Sequence, residues 1–156
     1  MISRMGKERT ASAQKHMTSL GHAEGIEIKY GGRTANTKLS HQLLHLAKTK
    51  SLVVQTAVAL DLFRLHFGEG RDITEMQTML DTARNCGLDI VEVQHYLEAG
   101  IGVAEVDAEA AAFRSSGVKG VPRFRFQGGE HEVDGAGDTM DFFEILMKIK
   151  EGPSIA

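Results

Sequence analysis

The chain has 156 residues, of which 42% are hydrophobic and 25% are charged, and its formal net charge is −3. This composition is typical of one soluble globular domain, and it lacks the basic excess that nucleic-acid binding needs. No apolar run reaches the ~18 residues of a membrane span, and none forms a signal peptide. The single cysteine, Cys86, excludes an intramolecular disulfide. We therefore expect a cytosolic protein without membrane or nucleic-acid partners.

The first elements are helices with one short strand among them. Residues 7–23 are predicted to form a surface helix, and in residues 26–30 apolar side chains alternate with charged ones, as in a half-buried strand. A helix over about residues 36–50 follows. Residues 52–67 are apolar on almost every side, which predicts a buried central helix.

Three further helices are predicted before any strand signal returns. Thr74 and Gln77 have the spacing of a capping box, and Gly87 is a natural C-terminal cap for the helix that they open. Asp89 opens the next helix, and a third spans about residues 103–115.

The C-terminal segment is predicted to be a hairpin followed by a helix. Residues 121–127 pair with about residues 131–134 across a Gly-Gly turn. Asp138 caps a helix through Lys150. Its apolar side chains, expected to be buried, are Phe142, Ile145, Leu146 and Ile149.

Four stretches carry a resemblance to a known family: "YGGRTANTKLSHQLLHLAKTK", "LFRLHFGEGRDIT", "CGLD" and "GVKGVPRFRFQGGEHEVDGAG". They resemble the FrnE-type and fungal DsbA-like branch of the DsbA-like thioredoxin family, with 2-hydroxychromene-2-carboxylate isomerases as more distant relatives. The resemblance implies a mostly helical α/β fold, a shortened thioredoxin-like fold in a single domain, 1–156. Residues 7–23 would be a linker helix, 36–116 a DsbA-type helical insertion, and 118–150 the C-terminal ββα segment.

The sequence departs from this family in its cysteines. Relatives carry Cys-x-x-Cys on a helix after the first strand, whereas this chain has no Cys-x-x-Cys and is expected to be shortened at its N-terminus. Cys86 falls in the helical insertion, so it does not correspond to the family's nucleophile. Because dithiol exchange needs an attacking thiolate and a resolving partner, we do not expect oxidoreductase activity.

The strand after the Val-Pro dipeptide alternates Arg123 and Arg125 with Phe124 and Phe126. A central strand covered on both faces is apolar throughout. The alternation therefore predicts that one face has lost its cover, so that the arginines face water, a ligand or a second subunit. They could bind a carboxylate or a phosphate; the other interpretation is a solvated face, or an edge protected by charge.

Two groups of residues resemble ligand-binding positions of the family. Val121-Pro122 resembles the cis-proline site, where the residue before the proline offers its backbone to a bound peptide or thiol. The loop containing Gly135 corresponds to one that contacts ligand near that proline, and its glycine permits close backbone approach.

The second group is Asn36-Thr37-x-x-x-His41, which resembles a motif beside the family's active site, with the asparagine near substrate or glutathione. His41 and His45 lie four residues apart, as a general base or a pair of metal ligands would. Two histidines without a third ligand are weak evidence for a metal, and no metal site is predicted. The other interpretation is a cap residue followed by two polar helix histidines.

These observations favour a non-redox small-molecule enzyme of the isomerase or cyclase type, for example in polyketide tailoring. In a groove beside Pro122, His41 would act as general base or acid, Asn36 would orient a carbonyl, and an arginine would hold negative charge. No cofactor is predicted, and glutathione is the one that the resemblance leaves open. The alternative is a redox-inactive family member that acts as a binding or structural protein, with a homodimer covering the exposed sheet, or a truncated product.

Overall fold

The computed structural model describes residues 6–31, 33, 35–118 and 121–152. These residues divide into two compact units at the bond between Ala108 and Glu109. The elements, in chain order, are α1 (Lys7–Ala23), α2 (Lys38–Lys50), α3 (Leu52–Phe63) continued by a π-helical turn (Arg64–Gly68), α4 (Met76–Asn85), α5 (Ile90–Glu98), α6 (Val103–Ser115), β1 (Arg123–Phe126), β2 (His131–Asp134) and α7 (Thr139–Glu151). None of the described helices is long and apolar enough to cross a membrane.

The core of the N-terminal unit lies among α2, α3, α4 and α5. Each helix contributes apolar side chains to one cluster, and its buried members are Leu43, Leu46, Ala47, Val58, Leu62, Met79, Ala83, Val93 and Leu97. Polar groups that α2 buries are hydrogen-bonded, since Ser40 Oγ donates to the Ile73 carbonyl and Gln42 Nε2 donates to that of Ile101 at 3.1 Å. The buried polar groups of α2 are therefore satisfied, whereas the buried Thr82 Oγ1 of α4 makes no hydrogen bond to a described residue.

Several helix boundaries agree with the sequence predictions. The bounds of α1 and α6 are those predicted, and Asp89 caps α5 by accepting hydrogen bonds from the amides of Val91 and Glu92. Asp138 forms a capping box with Asp141 at the start of α7. Such short-range signals depend on a few neighbouring residues, so the sequence alone reveals them.

The capping box predicted at Thr74 and Gln77 is wrong. Helix α4 begins at Met76, and its N-cap residue, Glu75, makes no side-chain capping bond. Thr74 is used elsewhere, because its amide and its hydroxyl both donate to Asp72 Oδ1, at 2.8 and 2.6 Å. Thr74 is therefore part of an Asx turn with Asp72 and does not cap the helix.

The prediction of a buried helix over residues 52–67 is also wrong. Val58 is fully buried and Leu62 nearly so, but Val53 is 79% exposed and Leu60 is 62% exposed. The helix packs against its neighbours along one side only, so half of its apolar surface has no cover within the described part of this unit.

Residues 26–30 do not form the predicted strand. Their backbone makes two hydrogen bonds to described residues: Ile26 N donates to the Gly21 carbonyl at 2.7 Å, and Lys29 N donates to that of Phe67 at 2.6 Å. Gly21 allows this approach, since a Cβ there would lie 2.9 Å from Ile28 Cδ1. The alternating pattern is present, but a strand also needs a partner strand.

The C-terminal unit contains the predicted hairpin. Strands β1 and β2 are antiparallel, with Arg123 opposite Asp134 and Phe126 opposite His131. The ring of Phe124 packs edge-on against Phe142 of α7, with centroids 4.9 Å apart. None of the four side chains expected to be buried on α7 is fully buried. Phe142, Ile145 and Ile149 are half-buried and Leu146 is 53% exposed, so the prediction is wrong for Leu146.

Candidate functional site

The Val121-Pro122 bend opens the hairpin. The peptide bond between these residues is cis, and the Val121 side chain is almost fully exposed. The carbonyl of Pro122 accepts a hydrogen bond from the amide of Gly135 at 2.7 Å. Gly135 has a φ of +85°, which a residue with a side chain would adopt only with strain. The structure thus brings together three of the predicted binding residues, which are Val121, Pro122 and Gly135.

Arg123 and Arg125 lie on the face of the hairpin opposite the phenyl rings. Arg125 Nε is 3.0 Å from Glu132 Oε1, directly across the sheet, and an Nη of Arg123 contacts the other carboxylate oxygen of Glu132. These charges stabilise the Glu132 carboxylate, and the hydrogen bond from Arg123 is the first cause of its lowered pKa. Arg123 and Arg125, which could have faced solvent or a ligand, therefore both pair with the carboxylate of Glu132 in the same hairpin.

A cavity of about 380 Å³ is built on this charged face. It is lined by Phe113, Ser116, Val118, Arg123, Arg125 and Glu132. Arg125 is the more accessible cation, with 62% of its side chain exposed. Buried Arg123 Nε makes no hydrogen bond to a described residue, and it lies 3.5 Å from Asp134 Oδ1. The volume is within the range of small-molecule sites, and two guanidinium groups suit an anion.

Glu132 and Phe113 line this cavity although neither was predicted as a site residue. The side-chain alternation of a hairpin could have predicted that Glu132 lies on the arginine face. Residues two apart in a strand face the same side, and the turn places Glu132 opposite Arg125. Nothing in the local sequence identifies Phe113, whose position depends on the end of α6.

The predicted Asn36, Thr37 and His41 lie in the other compact unit, at the start of α2. Asn36 Oδ1 accepts a hydrogen bond from Lys38 N at 3.1 Å, and Thr37 is the N-cap residue but makes no side-chain capping bond. The imidazole of His41 is exposed and has no hydrogen-bond partner among the described residues. The local geometry of Asn36 is that of a helix-start residue, which was the other interpretation.

His45, four residues further on, has a partner that was not predicted. Its Nδ1 is 2.9 Å from the hydroxyl of Tyr96, whose pKa is raised by burial. Gly102, with a φ of +82°, lies against both side chains, and a Cβ at this position would collide with the Tyr96 hydroxyl. This pair fixes α2 to α5 and leaves the two histidines of α2 in different environments.

Cys86 follows the last residue of α4. It is half-buried and free, and burial is the main reason that the pKa of its thiol is raised. A raised pKa keeps the sulfur protonated at neutral pH, which is the opposite of what a nucleophilic thiolate needs. Among the described residues, no three His, Cys, Asp or Glu side chains come together as metal ligands would.

Comparison with known proteins identifies the fold and the family. The family model of the DSBA-like thioredoxin domain matches residues 2–148. A probable DsbA oxidoreductase from Streptomyces coelicolor has a similar crystal structure, with a TM-score of 0.84 and 24% sequence identity over 100% of this chain and 68% of that chain. No curated protein sequence matches this chain. The predicted fold class, mostly helical α/β with a C-terminal hairpin and helix, is confirmed, and the chain belongs to the DsbA-like thioredoxin domain family.

Proposed function

We propose that this chain binds and converts a small anionic molecule without thiol–disulfide exchange, as an isomerase or cyclase does. The observation that carries the proposal is the environment of Cys86, the single cysteine of the chain, which ends a helix with its pKa raised. A dithiol oxidoreductase needs two sulfurs and a stabilised thiolate.

The arginine cavity of the C-terminal unit supports an anionic ligand. Arg125 can turn its exposed guanidinium from Glu132 to a ligand carboxylate at little cost, because an exposed ion pair contributes only about 0–1 kcal/mol. Arg123 also lines the cavity and adds a second positive charge to it, although its buried Nε is directed to Asp134. The exposed ring of Phe113 adds an apolar surface, so aromatic carboxylates are the class that the lining fits best.

Two measurements test the proposal. With dithiothreitol as reductant, the chain is expected to reduce insulin no faster than dithiothreitol alone, and Cys86→Ala is expected to behave identically. Reduction that Cys86→Ala abolishes would contradict the non-redox assignment.

Calorimetric titration with salicylate, a small aromatic carboxylate, tests the cavity. Arg125→Gln is expected to weaken binding by about tenfold, since a hydrogen bond to a charged group contributes about 1.5–3 kcal/mol and exposure reduces this. The matched control is Arg114→Gln, an exposed arginine of α6 outside the cavity lining. Equal binding by wild type and Arg125→Gln would remove the cavity from the proposal.

His41 and Asn36 lie in the other unit, and turnover of a small carboxylate by variants of the full chain tests the roles predicted for them. His41→Ala is expected to lose proton transfer, and Asn36→Ala is expected to lose carbonyl orientation. Turnover that is unchanged in both variants would remove these predicted roles.

A further inference from the structure

The N-terminal unit contains a second cavity, of about 650 Å³, which we call the Phe63 cavity. Its apolar walls are Ile26 and Ile28 on one side and Phe63 and Phe67 on the other. None of its lining residues also lines the arginine cavity. The volume lies within the roughly 300–1,000 Å³ that is typical of small-molecule sites.

Two backbone hydrogen bonds hold the segment that forms one wall. Ile26 N donates to the Gly21 carbonyl at 2.7 Å, and Lys29 N donates to the Phe67 carbonyl at 2.6 Å. The first bond ties the segment to the last turns of α1, and the second ties it to the π-helical turn. Because the wall is held at both ends before any ligand arrives, binding costs less in ordering the chain.

The end of α3 and the π-helical turn form the opposite wall. Glu69 N donates to the carbonyl of Arg64, five residues earlier, at 3.1 Å. Turns of this type are rare, and they occur frequently at functional sites. The rings of Phe63 and Phe67 adjoin, with centroids 6.2 Å apart and planes at 47°. This wall is therefore an aromatic surface wide enough for more than one ring.

The charged residues of the lining do not favour an anion. Arg64 donates to Asp61 Oδ1 at 2.8 Å through one Nη, and its other Nη contacts the carboxylate of Glu69. Glu27 also lines the cavity and adds a negative charge. An anionic ligand would compete with two carboxylates for one guanidinium, and a charge that enters an apolar cavity unpaired is costly. The lining thus favours an uncharged ligand.

We propose that the Phe63 cavity binds a small uncharged aromatic molecule between residues 26–28 and the two phenyl rings. A ligand with two fused rings can contact Phe63 and Phe67 together, since aromatic pairs prefer offset or edge-on packing at centroid distances of about 4.5–7 Å. Binding removes apolar surface from water, because Ile26 is 57% exposed and Phe63 is 59% exposed. This site goes beyond the proposed function, since it lies in the other unit and selects against anions.

Fluorescence titration with N-phenyl-1-naphthylamine, an uncharged aromatic dye whose emission rises in apolar surroundings, tests the proposal. The wild type is expected to bind a single dye molecule per chain. Phe63→Ala removes one ring of the aromatic wall and is expected to raise the Kd about tenfold. Ile26→Ala removes three carbons from the opposite wall and is expected to raise the Kd about fivefold. The matched control is Phe143→Ala, at a ring of α7 that is 53% exposed and outside the lining, which is expected to leave the Kd within about twofold.

Displacement of the dye tests the charge preference with two competitors that share one ring system. 2-Naphthol is uncharged at neutral pH, whereas 2-naphthoate carries a carboxylate. We expect 2-naphthol to displace the dye at a concentration at least about tenfold lower. Equal displacement by the two competitors would overturn the assignment of an uncharged ligand.

Far-UV circular dichroism checks that each variant is folded, and both wall substitutions are at side chains that are more than half exposed. A wild type that does not bind the dye would overturn the proposal, and so would a Kd that neither wall substitution changes. Loss of the dye in Phe113→Ala, with the wall variants unaffected, would place it in the arginine cavity and would also overturn the proposal. Salicylate binding by the arginine cavity is measured separately, so the proposed function can fail while this proposal holds, and the reverse.

Discussion

The packing of α5 allows a test of the core with two identical substitutions two residues apart. Val93 is fully buried in the core cluster, whereas Val91 on the same helix is 78% exposed. Val→Ala removes two carbons, which corresponds to about 1.6 kcal/mol of transfer free energy when they are buried. A residual cavity of about 30 Å³ adds roughly 0.7 kcal/mol.

The helix propensity of alanine offsets part of this cost, by about 0.5 kcal/mol at either position. We therefore expect Val93→Ala to lower the free energy of unfolding by about 2 kcal/mol, and Val91→Ala to leave it unchanged or raise it by up to about 0.5 kcal/mol. For a chain of this size, 2 kcal/mol corresponds to a fall in Tm of about 4–8 °C.

Urea unfolding followed by circular dichroism at the helix band measures both variants. The comparison is sound only if the slope m stays the same, because a changed slope signals a change in the unfolded or native ensemble. Equal destabilisation by the two substitutions would refute the described orientation of α5 and, with it, the assignment of the core to the inner faces of α2 to α5.

Two further predictions follow from groups with shifted pKa values. The pKa of Asp81 is lowered, first by the hydrogen bond from Arg71, so its contribution to stability is present above the ordinary aspartate pKa of about 3.9 and is lost as the pH falls through the lower folded value. Asp81→Asn is expected to be less stable than wild type at pH 7, with the difference shrinking in that acid range; a difference that is independent of pH would contradict this. The raised pKa of Cys86 predicts alkylation by iodoacetamide more slowly than free cysteine at pH 7, with the rate rising at higher pH than for the free amino acid. A rate equal to or above that of free cysteine would show that the thiol is not held in the described environment.

The sequence identified those features whose causes lie within a few residues. The caps at Asp89 and Asp138, the bounds of α1 and α6 and the hairpin are local, because a cap or a turn is determined by residues three or four positions apart. The alternation of Arg123 and Arg125 with phenylalanines also predicted that the two faces of β1 differ, and Phe124 does pack against α7.

What the sequence could not determine depends on partners distant in the chain. Residues 26–30 have a strand pattern, but whether they form a strand depends on a second strand, which the described residues of their unit do not provide. The apolar residues of α3 predict burial on every side, yet only the side facing α2 and α4 is covered, so Val58 is buried and Leu60 is not. The arginines of β1 were predicted to face water, a ligand or a second subunit. The sequence did not reveal that the cross-strand register places Glu132 between them, because pairing brings together residues that the sequence keeps apart.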